Sequence, residues 1–326
     1  MIATNSGSFP WRGTAAGADL ERAMARREAG EISAADLRIA QDRVVREVVD
    51  AQVAAGLDLV TDGLVRREDP IGYLARRLAG MTPGERTARV PGLGGRCAVP
   101  VVESEIAWEG PILVEDHLFA RDGCPRPVKV VLAGPYTLAR LAEDRSYGDP
   151  MALAMGLAAA LNRELRALQA AGAGFIQVEE PLLLAHRDDF PIFTRVWEVL
   201  GRGVSTTLAL NLPGGEIGDL YPAILRLKRL GCLCLDAGRG PAPLEALTRS
   251  VWPEGVRLGV GVVDGSDAGV ESPESIVAGL AGVAGLLPQA RILIGPASDL
   301  GELPPAVAAA KLASVAKAAR MMETRA

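Results

Sequence analysis

What most limits the fold of this chain is an alternation along its length. Short apolar runs of strand type, each closing on an acid or a polar turn, are separated by segments of helical length. The clearest run is Gly174-Phe-Ile-Gln-Val-Glu-Glu-Pro181. Successive side chains on a strand alternate faces, so Phe175, Gln177 and Glu179 share one face and Ile176, Val178 and Glu180 the other. Gln177 and Glu179 are costly to bury without partners, so their face is expected to line a polar cavity.

Other strand candidates are Ile2 to Ser6, Leu57-Asp-Leu-Val-Thr61, Val128–Leu132, Val204–Leu210, Gly231–Leu235, Val256–Val263 and Arg291–Ile294. A helix is expected after Ser33, where Ser-Ala-Ala-Asp fits a capping box, and others at about 150–172, near 216–230, after Ser272-Pro273 and at about 303–323. Residues 80–126 break the pattern with many Gly, Pro and charged residues, and an irregular excursion or short hairpins around Trp108 are expected there. Strand–helix alternation implies parallel strands joined by crossover helices. Eight such units closing on themselves make a (β/α)8 TIM barrel, a single domain over residues 1–326. An open doubly wound sheet is the runner-up, but no Gly-x-Gly-x-x-Gly follows the first strand.

Active sites in barrels sit at the carboxyl ends of the strands. Those ends carry Asp62, Tyr136, Glu179, Glu180, Asn211, Asp236, Asp264, Ser298 and Asp299. An acidic, polar rim of this kind suits a small-molecule site. The net charge of −5 gives no reason to expect nucleic acid. No apolar run approaches the roughly 18–20 residues that span a bilayer, and no signal-peptide pattern opens the chain, so a cytoplasmic protein is expected. The cysteines Cys97, Cys124, Cys232 and Cys234 are expected to be reduced thiols.

The ordered motifs resemble the catalytic barrel of the cobalamin-independent methionine synthase family, above all its short single-domain members. The matching stretches are Ser-Gly-Ser-Phe-Pro at 6–10, Gly-Leu-Asp-Leu-Val-Thr-Asp-Gly at 56–63 and Val-Lys-Val-Val-Leu-Ala-Gly-Pro-Tyr-Thr-Leu at 128–138. Ala-Gly-Ala-Gly-Phe-Ile-Gln-Val-Glu-Glu-Pro at 171–181, Leu-Gly-Val-Gly-Val-Val-Asp at 258–264 and Glu-Ser-Pro-Glu at 271–274 complete the set. Uroporphyrinogen decarboxylase barrels share a similar Gly-Pro-x-Thr turn but fit the rest less well.

The resemblance implies a zinc ion that turns a substrate thiol into a thiolate, which takes a methyl group from a methylfolate. It also implies ligands of His-x-Cys type after the fifth strand, a Glu after the sixth and a Cys after the eighth. Here Thr-Leu-Ala-Leu-Asn stands at 207–211, Asp236 stands near the Glu position and Pro-Ala-Ser-Asp at 296–299 replaces the turn with the last Cys. The family's Asp-Gly-Glu is Asp62-Gly63-Leu64, and its Asp-Glu-Pro is Glu179-Glu180-Pro181. Zinc is therefore expected to be absent, no cofactor is expected to be tightly bound, and methionine synthesis itself is argued against.

The expectation is transfer of a methyl or other one-carbon group to a small-molecule acceptor, with 5-methyltetrahydrofolate as a possible co-substrate. Glu179, Glu180 and Asp236 are the candidate catalytic groups, and Ser8, Asp62, Tyr136, Gln177, Asn211, Asp264 and Ser298 the candidate substrate-binding groups. The alternative is a non-catalytic or partner-dependent barrel that binds a folate or small metabolite. A protein partner or homo-oligomer is compatible with both. Cys232, Cys234 and Asp236 share one face of a strand; thiols that fill the barrel core are favoured over a relocated metal site at Cys234 and Asp236 or a nucleophilic Cys234. For Trp11 and Trp108, core packing is favoured over stacking on a flat ligand. His117 is expected at the surface, and His186 near the pocket mouth.

Overall fold

The computed structural model describes residues 1–323 apart from Glu68, Gly94, residues 238–246 and 248–250, and Ala284. Its strands are β1 (Ile2–Ala3), β2 (Leu78–Ala88), β3 (Cys97–Trp108), β4 (Val130–Ala133), β5 (Glu143–Asp144), β6 (Phe175–Glu179), β7 (Thr207–Leu212), β8 (Cys232–Asp236), β9 (Arg257–Val263) and β10 (Ile292–Pro296). Seven of them form one parallel sheet in the order β1-β10-β9-β8-β7-β6-β4. Two isolated parallel bridges, Thr4 to Leu59 and Val60 to Val128, join the ends of that sheet. The segment at 59–60 is thus the eighth stave, and the sheet closes into the expected barrel.

Closure sorts side chains by parity. Ile176 and Val178 of β6, Leu208, Leu210 and Leu212 of β7, and Leu233 and Leu235 of β8 join the main core between barrel and helices. The alternate residues Phe175, Ala209 and Cys232 belong to a separate interior cluster with Leu59 and Leu293. The outer layer follows from helical periodicity. Leu153, Leu157, Leu161, Leu165 and Leu168 are buried on one side of the helix Pro150–Ala170. Burial of each such leucine contributes about 1.5–3 kcal/mol relative to leaving it exposed. The helix Ala34–Ala54 begins with the capping box, Ser33 and Asp36 each accepting from the other's backbone.

The excursion is more regular than its composition suggests. β2 and β3 are a long antiparallel pair, extended by β5, and the helix Val114–Arg121 follows. Buried Glu164 anchors it by accepting from Trp108 Nε1 at 2.7 Å and from the backbone nitrogens of Ile112 and Leu113 at 2.8 and 2.7 Å. Trp108 is therefore held on the barrel helix Pro150–Ala170, away from the strand ends.

The helix expected near 216–230 is replaced by 3-10 turns at Gly218–Leu220 and Ala223–Arg226. Pro222 explains the break, because it lacks an N–H and its ring clashes with a preceding helical turn. The helix Ala15–Glu28, which the sequence reading passed over, is capped by Thr14 and carries only a weak apolar stripe. His117 is the other correction: it is 3% exposed rather than on the surface. No described helix is long and apolar enough to cross a membrane.

Candidate active site

β6 and β7 run parallel with Glu179 opposite Asn211, and both side chains project to the lumen at the carboxyl end. Asn211 Nδ2 donates to both oxygens of Glu179, at 3.1 and 2.8 Å. Gln177 Nε2, two residues earlier on the same face, donates to Glu179 Oε1 at 2.5 Å and to the Ser6 carbonyl at 2.7 Å. Lys129 Nζ donates to Gln177 Oε1 at 2.6 Å, which fixes the amide's orientation. The chain Lys129–Gln177–Glu179–Asn211 crosses three neighbouring staves of the barrel.

Glu179 is 2% exposed, and its immediate donors are neutral amides. Burial pushes its carboxyl up to about 7, with the hydrogen bonds from Gln177 and Asn211 and the charge of Lys129 pulling the other way. Burial correspondingly lowers Lys129, while Cys234 and Glu179 favour its charged form. A carboxyl that changes protonation near neutrality is suited to general acid–base work.

Gln177, Asn211 and Lys129 line a small central cavity of about 30 Å³ with Asn5, Ser6 and Cys234. Asn5 is fully buried, its Nδ2 donates to the carbonyls of Gly7 and Ser8, and its Oδ1 has no partner. A larger cavity of about 150 Å³ opens beside it, with Ser8, Arg67, Leu64 and Asp299 among its walls. Ser8 Oγ donates to Asp299, whose carboxyl burial shifts upward. Trp11 also borders this cavity, although it is 6% exposed and carries the Arg12 guanidinium 4.7 Å from its ring centre.

The other rim residues are dispersed among local structures. Glu180 lies on the opposite face of β6 and accepts from the backbone nitrogens of Tyr136 and Thr137 at 3.1 and 2.7 Å, capping the helix Pro135–Leu141. Burial pushes it, too, up to about 7. Gly134 is required beside it, since a Cβ there would stand 2.1 Å from Glu180 Oε1. Asp62 holds Arg67 with both oxygens, at 2.8 and 2.7 Å, and accepts from Leu64 N. Tyr136 turns away from the lumen, its hydroxyl donating to Asp189 at 2.7 Å and its ring meeting Phe193 edge-on.

Asp264 accepts from Ser266 in a tight turn, and Ser298 Oγ accepts from Gly265 N. Asp236 ends β8, half-buried. His186 is exposed and its Nδ1 lies 2.8 Å from Arg140. The structure thus gathers Gln177, Glu179 and Asn211 into one network, with Ser8 at the adjoining cavity. Lys129 was missed as a site residue, although a lone lysine in the apolar run Val128–Leu132 signals a charge that must find a partner inside.

The donor set for a family-type zinc site is not assembled by these residues. At the position of the expected His-x-Cys pair, Leu208 and Leu210 face the outer core and Ala209 faces the lumen. Cys232 and Cys234 lie with sulfurs 3.6 Å apart, and the hydrogen bond with the Cys234 thiol together with burial holds Cys232 well above its usual range. Among the described residues no cluster of three or more His, Cys, Asp or Glu could hold a metal.

Comparison with known proteins agrees with this architecture. The methionine synthase of Sulfurisphaera tokodaii is 28% identical over 306 residues, covering 93% of this chain and 88% of that protein. That of Saccharolobus solfataricus is 28% identical over 296 residues, covering 90% and 88%. A B12-independent methionine synthase from Shewanella sp. W3-18-1, solved with selenomethionine, superposes with a TM-score of 0.82 over 99% of this chain and 98% of that one, at 19% identity. Residues 1–321 match the family described as cobalamin-independent synthase, catalytic domain, and the chain belongs to that family.

Proposed function

We propose that this barrel transfers a methyl or other one-carbon group from a folate-linked donor to a small-molecule acceptor, with Glu179 as the base and without the family's zinc. The observation that carries this reading is Glu179 itself, a lumen carboxyl with a pKa of about 7, oriented by Gln177 and Asn211. An acceptor N–H or O–H would give its proton to the ionised carboxylate. The freed lone pair would form the bond to the methyl carbon as the donor's C–N bond breaks, and the departing amine would take up a proton. Lys129 keeps Gln177 turned so that its N–H, not its carbonyl, faces Glu179.

Metal-free operation is favoured by the lumen chemistry of β7 and β8. Ala209 offers no donor atom, and among the described residues Cys232, Cys234 and Asp236 of β8 do not come together as a group that could hold a metal ion. A binding role without chemistry is the competing reading. Purified protein supplied with 5-methyltetrahydrofolate and a panel of amine, hydroxyl and thiol acceptors distinguishes the two. Consumption of the donor that falls away in Glu179→Gln supports transfer. Donor binding without consumption by any acceptor supports the binding role.

A further inference from the structure

A further cavity, of about 380 Å³, lies at the amino-terminal end of the barrel, opposite the Glu179 network. Ile2, Leu59, Val128 and Phe175 form its apolar walls. Protein interiors pack to near-crystalline density, with few voids larger than a water molecule. Small-molecule pockets begin at about 300 Å³ and combine apolar walls with a few polar groups, and this cavity meets both conditions.

Its polar groups have a definite character. His117 borders the cavity, is 3% exposed and has no hydrogen-bond partner at either ring nitrogen. Burial and the nearby Arg121 hold its pKa down, so the ring is neutral and offers one donor and one acceptor. Arg121 and Arg257 also line the cavity, Arg121 with one guanidinium nitrogen donating to the Ala171 carbonyl at 2.7 Å. Among the described residues no carboxylate pairs with Arg257. Asp58, the acid in the lining, is engaged already: it accepts from Ala3 N at 2.9 Å and faces Arg126 at 3.8 Å. The mouth is therefore cationic and its interior apolar.

We infer that this cavity is a binding site for a small organic carboxylate with an apolar body about the size of one ring. The body would rest on Phe175, Ile2 and Leu59, and the carboxylate would face Arg121 and Arg257. No residue of the site belongs to the Glu179 network, which comes nearest where Lys129 Nζ lies 6.0 Å from the Phe175 ring centre, so the inference does not rest on the barrel's reaction.

Gly174 provides a direct test. It lines the cavity, its φ lies outside the left-handed region, and a Cβ there would meet nothing within 4 Å. Gly174→Leu should fill the cavity without disturbing the fold. Benzoate, 3-phenylpropionate and 4-methylpentanoate would be titrated into the full chain by calorimetry, alongside 3-phenylpropanamide as the uncharged control. At least one acid is expected to bind with a Kd below about 1 mM, and the amide at least about tenfold more weakly. Arg257→Gln should weaken the acid about tenfold, and Gly174→Leu should abolish binding at an unchanged melting temperature. Absence of binding by all three acids, equal affinity for the amide, or unaltered binding in a folded Gly174→Leu variant would each overturn the inference.

Discussion

Asn211 places one amide nitrogen between the two oxygens of Glu179, at 3.1 and 2.8 Å, across the register that sets these residues side by side on β6 and β7. Hydrogen bonds of this kind favour the ionised carboxylate, whereas burial disfavours it. The balance leaves Glu179 near neutrality. Replacing Asn211 with Leu removes two of these contacts and should raise the Glu179 pKa further. The measurement is the pH–rate profile of donor consumption, whose rising limb should move to higher pH. An unmoved limb would show that Asn211 does not tune the base.

Glu179→Gln keeps the shape of the side chain and removes the base. General-base catalysis contributes about 10²- to 10⁴-fold, so donor turnover should fall by at least about 100-fold. Circular dichroism melting should show the fold retained, since removing a buried charge carries no packing loss. Wild-type turnover in this variant would refute the role given to Glu179.

Acid–base linkage gives a stability prediction with a definite sign. Glu179 and Glu180 are each raised to about 7 in the folded chain, chiefly by burial, from ordinary values near 4.5. A raised folded pKa contributes stability that is fully present below the unfolded value and is lost as pH rises through the folded value. The melting temperature should therefore decline from pH 4.5 to about 7 on account of these groups, with a smaller decline in Glu179→Gln. A variant whose slope equals that of the wild type would contradict the burial assigned to Glu179.

Asp62 and Arg67 are both buried, and the guanidinium's Nε already lacks a partner. Asp62→Asn leaves a buried cation without its counter-charge, which costs about 3–5 kcal/mol. Urea denaturation should show a loss of that size with an unchanged m value. A loss below about 1 kcal/mol would place the pair in the class of solvent-screened surface bridges.

Metal content tests the proposal of a zinc-free site. Protein purified without chelators should hold far less than one zinc per chain by plasma mass spectrometry. Overnight treatment with EDTA should leave both melting temperature and turnover as they were. Stoichiometric zinc whose removal abolishes turnover would overturn the metal-free reading and direct attention to Cys234 and Asp236.

Several features were decided by sequence alone because they depend on short-range physics. Parity along 175–179 places Gln177 and Glu179 on one face, and the Ser33–Asp36 box starts its helix where local hydrogen bonding dictates. Strand–helix alternation was sufficient for parallel strands joined by crossover helices, whereas closure into a barrel rather than an open sheet is set by the bridges of Leu59 to Thr4 and Val60 to Val128. The rim acids were equally legible as a group, but their separate environments were not. Glu179 and Glu180 are chemical twins one residue apart. Only the neighbouring strand and helix decided that one meets amide side chains in the lumen while the other caps Pro135–Leu141. His117 reads as a surface residue because nothing within its own helix shows that it is buried beside the barrel's amino end. Burial and charge pairing arise between segments far apart in the chain, and the tertiary structure alone sets them.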